Sequence, residues 1–173
     1  MSEHVDFALS GEMSMGLLEH SNVIAIGAHS TLGPFQEYLS SMNFSMASGE
    51  RQVANARPQP SERPHYDVED QGYGRQISPA IVAVLPGSAP GAKLMILQAR
   101  YTMGLVDLLI SKAGSNLFAR MYKAQGSPKY FEMVVMCESE GSHVTRSWPI
   151  ALHPYTKDAP PVLESSKTLL RAR

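Results

Sequence analysis

The chain has 173 residues, with 15 basic and 16 acidic side chains, so it fits one domain and lacks the dense positive field that phosphate-backbone binding requires. No direct nucleic-acid contact is expected of it, and its lone cysteine, Cys137, excludes an intrachain disulfide and reads as a small core residue beside Met133 to Met136. No apolar run reaches the roughly 18 residues of a membrane helix, and the N-terminus lacks the basic start and apolar centre of a signal peptide, so a soluble chain without a membrane segment is expected, its compartment left open by the sequence with the cytoplasm slightly favoured.

Residues 1–21 are polar and Met-rich and read as a lead-in, with Ser14 placed to cap a short helical turn through Met15, Leu17 and Leu18. Asn22 to Gly27 (NVIAIG) is a short β-branched run closed by glycine, the pattern of a buried strand. Pro34 then stands where a first helical turn tolerates proline, and Phe35, Tyr38, Leu39 and Met42 share one helical face. Together they make a strand-turn-helix unit.

Asn43 to Arg75 alternates only weakly, and Pro58, Pro60 and Pro64 exclude helix from Arg57 to Pro64. An extended crossing loop and a short strand at His65 to Val68 are expected there. Ser78 to Leu85 is a second apolar run, separated by Pro86-Gly87-Ser88-Ala89-Pro90-Gly91 from a third at Lys93 to Leu97, which predicts antiparallel neighbours. From Leu94 the chain forms another strand-turn-helix unit: the strand ends at Leu97, the turn spans Gln98 to Gly104, and Leu105, Leu108, Leu109, Leu117, Phe118 and Met121 follow at helical spacing, with a break at Gly114-Ser115-Asn116. Tyr130 to Glu138 and His143 to His153 predict a final hairpin.

These elements predict an α/β fold: a mixed, Rossmann-like sheet of about five or six strands, with helices on one or both faces. The domain is expected to span 22–153, with 154–173 a frayed tail. Strands Val23 to Ile26 and Leu94 to Leu97 should lie side by side at the centre of one sheet, and their carboxyl ends are the first place to seek a ligand.

The order NVIAIG at Asn22 to Gly27, MNF at Met42 to Phe44, NARPxPSExxxY at Asn55 to Tyr66, LPGxxPGxKLMIL at Leu85 to Leu97 and YFE at Tyr130 to Glu132 resembles an uncharacterised bacterial domain. That domain is associated with acidobacterial proteins and lies C-terminal to a winged-helix DNA-binding segment. The resemblance implies the ligand-sensing or protein-interaction half of a transcription regulator, with a regulator partner or a second copy as its company. In that family the turn after the LxIL strand tends to run glycine-threonine into small residues, whereas this chain has Met103-Gly104-Leu105-Val106.

Two loops carry candidate chemistry. His29, Ser30 and Thr31 follow the first strand and precede a helix, so their N–H and hydroxyl groups could hold a small anion, or Ser30 or Thr31 could cap the helix. Arg100, Tyr101, Thr102 and Gly104 follow the later strand and offer a guanidinium, hydroxyls and close backbone approach, although Arg100 could instead pair with Asp107. The spacing of Gly27 and Gly33 is not a dinucleotide fingerprint, and no GKS/T or GxSxG is present. The six histidines show no metal-ligand spacing and read as surface residues, and the carboxylates Asp67, Glu69, Asp70, Glu132 and Glu138 read as solvated charge. No cofactor, metal or catalytic group is therefore expected. The alternative to a sensing domain is a small hydrolase or transferase that uses the two loops on a phosphorylated or nucleotide-like substrate.

Overall fold

The computed structural model describes residues 21–46 and 49–156. The lead-in cap at Ser14 and the tail beyond Thr156 lie outside the described residues. Strand β1 (Val23–Gly27) leads through two 3-10 turns, His29–Thr31 and Gly33–Phe35, into helix α1 (Gln36–Ser41). A small antiparallel sheet follows, made of β2 (Phe44–Met46), β3 (Gln52–Asn55) and β4 (His65–Asp67) in that order. Next come β5 (Glu69–Gly72), β6 (Arg75–Pro86), β7 (Lys93–Ala99), helices α2 (Met103–Ile110) and α3 (Lys112–Ala124), and the long hairpin β8 (Phe131–Glu140) and β9 (His143–Pro154).

The main sheet runs β1-β7-β6-β8-β9, with β5 added to one end of β6. Both predicted hairpins are present: β6 pairs antiparallel with β7, and β8 with β9. Val23 to Gly27 pair in parallel with Leu94 to Gln98, so β1 and β7 are adjacent in one sheet. But β1 is not the buried central strand its apolar run predicts: it is the last strand on its side among the described residues, with Ile24 and Ile26 exposed because the helices cover the other end of the sheet. β7 and β8 both run antiparallel to β6 and hence parallel to each other, so α2 and α3 form a crossover that spans one strand.

The Rossmann-like α/β expectation is overturned. Strand makes up 45% of the described residues and helix 25%, in a mixed six-stranded sheet plus a separate three-stranded one. The helical pattern after β1 misleads for a physical reason. Gly33 and Pro34 hold the chain in 3-10 turns, α1 has only six residues, and the chain then enters the small sheet instead of returning to a parallel strand beside β1. The later helical run is also divided, at Ser111 rather than at Gly114: Ser111 is extended, and its hydroxyl accepts the Gly114 N–H to cap α3.

Each face of the main sheet buries its own core. On β6, Ile81, Ala83 and Leu85 point toward the small sheet and α1, while Ala80, Val82 and Val84 point toward α2 and α3. Burial on both sides explains why the Ser78 to Leu85 run is continuously apolar although its neighbours are antiparallel. The fold also passes the expected boundary at His153: β9 continues through Pro154, and buried Tyr155 shares a hydrogen bond with Ser41 (2.9 Å).

Gly104 begins α2 where that helix comes down on β8. A methyl group there would lie 2.6 Å from the Cys137 sulfur and 2.9 Å from its Cβ, so the glycine is needed for helix-to-sheet approach. Gly104→Ala is expected to destabilise the protein by about 1–3 kcal/mol through overpacking, read as a lower urea midpoint with an unchanged slope. An unchanged midpoint would show that α2 does not seat on Cys137.

Candidate functional site

The register of β1 and β7 sets Gly27 beside Gln98, so the two predicted loops leave the sheet at the same end. What they bring together differs from the sequence expectation. The two side chains that meet are His29, from the loop after β1, and Gln98, from β7 itself, with Gln98 Nε2 3.3 Å from His29 Nδ1. Gln98 is only 1% exposed. Both line a cleft of about 190 Å³ whose other walls are Gln36, Leu39 and Ser40 of α1 and Phe44, Ser45 and Met46 of β2.

The other predicted residues stand apart from this cleft. Ser30 is exposed, and the Thr31 hydroxyl donates to the Ala28 carbonyl (3.0 Å), so neither side chain caps the turn that holds them. The His29 N–H, which an anion would need, already donates to the Glu50 carboxylate (2.8 Å). Arg100 is exposed and lies over its neighbour Tyr101, 5.5 Å from the ring centroid. Tyr101 and Thr102 are half-buried beside it, and Gly104 serves the packing of α2. Gln98 escapes sequence reading because it sits at the end of an apolar strand where a turn is expected. Its place in the alternation Leu94, Ile96, Gln98, the row that faces the small sheet, is the signal that could have found it.

A second polar group lies against the cleft wall. Glu132 is 2% exposed, and its Oε2 accepts the N–H groups of Asn43 (2.6 Å) and Phe44 (3.0 Å). On the neighbouring strand His153, paired with Glu132 in register, sits between two partners. Its Nδ1 is 3.1 Å from Asn43 Nδ2, and its Nε2 is 2.8 Å from Glu62 Oε2. Asn55 joins the group by accepting from Asn43 Nδ2 (2.8 Å) and donating to Glu62 (2.9 Å). His153 and Glu132 are therefore buried, contrary to the surface and solvated readings of the sequence. Three of the stretches quoted for the resemblance, Met42 to Phe44, Asn55 to Tyr66 and Tyr130 to Glu132, meet in this one cluster.

The cluster is a clamp rather than a reaction centre. With Asn43 donating to Nδ1, the proton of His153 sits on Nε2 and goes to Glu62, so neither ring nitrogen is left for a substrate. Burial pushes the Glu132 carboxyl above its ordinary value, and the Phe44 and Asn43 N–H groups, with His153 and Arg57 nearby, offset only part of that. Glu62 moves the other way: burial alone would raise it, but the Gln59 N–H, the Asn55 amide and His153 together hold it below the usual carboxylate range. Burial also pushes the Cys137 thiol up to about 11, which leaves it inert at neutral pH. Among the described residues no group of three or more His, Cys, Asp or Glu is placed to hold a metal ion, and no helix is long and apolar enough to cross a membrane.

Comparison with known proteins leaves the site to be read from its own geometry: no family model, curated protein or solved structure matches the chain.

The two carboxylates should have opposite pH signatures. A lowered folded pKa contributes stability above the unfolded value that is lost in acid, so Glu62→Gln should be less stable than the parent by about 1–3 kcal/mol at neutral pH. That gap should close as the pH falls below the ordinary value of 4.5. A raised folded pKa works against stability as the pH rises through the carboxylate range, so Glu132→Gln, which keeps an acceptor oxygen, should gain on the parent from mild acid to neutrality. Glu132→Ala leaves two buried N–H groups unpaired and should cost roughly 2 kcal/mol or more. Urea denaturation at stepped pH reads all three, and gaps that do not vary with pH would refute the assignment.

Proposed function

We propose that the chain is a small-molecule-binding domain, the sensing half of a bacterial regulator, with its ligand in the cleft at the carboxyl ends of β1 and β7. The observation that carries this reading is Gln98: a polar side chain buried at a strand end, linked to His29 from the other loop, with both facing a cleft that neither β1 nor β7 could form alone. Ligands of open sheets lie outside the carboxyl ends of the strands, and ligand sites combine mostly apolar walls with a few convergent polar groups. Leu39, Phe44 and Met46 supply the apolar walls, and Gln36, Gln98, His29, Ser40 and Ser45 supply the polar groups.

Among the described residues the lining contains no Lys, Arg, Asp or Glu, and the His29 N–H is held by Glu50. We therefore favour a small, uncharged polar ligand, with the volume of a few heavy atoms, over a phosphate or carboxylate. The enzyme alternative has less behind it: the Ser40 hydroxyl is committed to the Glu37 carbonyl (2.9 Å), which leaves that serine poorly placed for activation by a base.

A thermal-shift screen of neutral amides and polyols beside sugar phosphates, nucleotides and carboxylates tests the reading. A neutral polar compound should raise the melting temperature. Gln98→Leu, which keeps the volume but loses the amide, should weaken its binding by about one to two orders of magnitude, and His29→Ala should also weaken it. Arg100→Ala should change neither binding nor stability. Chemical conversion of the stabilising compound would replace the sensing role with the hydrolase or transferase alternative. If instead an anion stabilises the protein and Arg100→Ala abolishes the effect, the ligand belongs at the exposed loop rather than in the cleft.

A further inference from the structure

Among the described residues β1 is the outermost strand of the main sheet and pairs on one side only, with β7. In an edge strand every second residue turns its N–H and C=O away from the sheet, and soluble proteins usually blunt such an edge with charge, proline or a bulge. β1 has none of these devices. From Asn22 to Ala28 the sequence has no charged residue and no proline, and its pairing with β7 is regular throughout. The opposite edge is protected: β9 lies under α2 and α3, carries Pro149 and Pro154, and has two register irregularities.

The side chains of β1 are equally open on one face. Ile24 and Ile26 stand in register with Met95 and Leu97, which belong to the core under the helices, yet they are 64% and 57% exposed because α2 and α3 pack mainly against β9. Two isoleucines beside a backbone edge that no described strand pairs form a surface that water solvates poorly.

The sequence of this edge specifies its occupant. Val-Ile-Ala-Ile-Gly has an isoleucine on either side of Ala25, so a two-fold axis through Ala25 in antiparallel pairing sets Ile24 opposite Ile26 of the second copy, and Ile26 opposite Ile24 of the second copy. Ala25 meets Ala25, and Val23 meets a glycine that leaves it room. Both strands are uncharged, so no like charges oppose each other in this register. We propose that the chain forms a two-fold dimer by antiparallel pairing of β1 with β1 of a second copy, which makes one continuous sheet from two.

Sedimentation equilibrium of the full chain from micromolar to submillimolar concentration tests this. The parent should be a dimer. Ile24→Lys and Ile26→Glu should each raise the dissociation constant by at least about tenfold while leaving the melting temperature of the monomer and the circular dichroism spectrum intact, because both side chains point to solvent. The double variant I24K/I26E should recover dimerisation, since the two-fold register sets each lysine opposite the glutamate of the other copy. A parent that stays monomeric throughout, single variants that dimerise as the parent does, or a double variant that stays monomeric would each overturn the proposal.

Discussion

The fold depends on a buried carboxylate. Among the described residues the two sheets share no ladder hydrogen bonds and meet through the side chains of one core, so something must fix where the small sheet sits on the large one. Glu132 does this by projecting from the start of β8, between β6 and β9, and accepting two successive N–H groups at the start of β2. A charge buried at such a position is costly unless it is hydrogen-bonded, and two N–H donors with a histidine beside them are what make it tolerable. The same constraint explains the proline-rich loop. Pro58, Pro60 and Pro64 stiffen the segment that carries Glu62 to His153, and ordering a stiff segment costs less entropy than ordering a flexible one.

Much of the sheet is legible in the sequence because its strands are bounded by strong turn signals. The Pro86 to Gly91 segment and the Glu140-Gly141-Ser142 turn separate runs rich in β-branched and other apolar residues, and each pair of runs forms the hairpin their spacing predicts. The architecture is less legible for a reason visible in α1. Phe35, Tyr38 and Leu39 are buried as their helical spacing predicts, with Met42 just beyond the helix end, but a pattern of buried residues does not report how long the helix is or where the chain goes afterwards. Six residues of helix followed by an antiparallel meander look, in sequence, like the first half of a parallel unit.

The candidate site divides along the same line. That the ends of β1 and β7 come together could be read from two short apolar strands, each followed by a turn. Which side chains meet there could not, because Arg100 and Gln98 are two residues apart and only the end of β7 decides which of them faces inward. Gln98 is the last residue of its row to face the small sheet, whereas Arg100 lies past the strand end and turns to solvent. The clamp was less accessible still. Glu62 and His153 are separated by 91 positions, and neither carries a local pattern that distinguishes a hydrogen-bonded pair screened from water from two surface residues.

Phe44 ties the clamp to the cleft. Its N–H is held by Glu132, its ring lies 4.8 Å from the ring of His153, and the residue lines the cleft. Phe44 is thus fixed by a hydrogen bond on the side away from the cleft, the arrangement that the proposed binding role requires if binding is not to be spent on ordering the cleft's own walls. It also gives the buried carboxylate a consequence beyond stability. A change at Glu132 or His153 that shifts the start of β2 also shifts Phe44, Ser45 and Met46, which together form one side of the cleft, so the polar cluster that assembles the two sheets also sets the shape of the space between them.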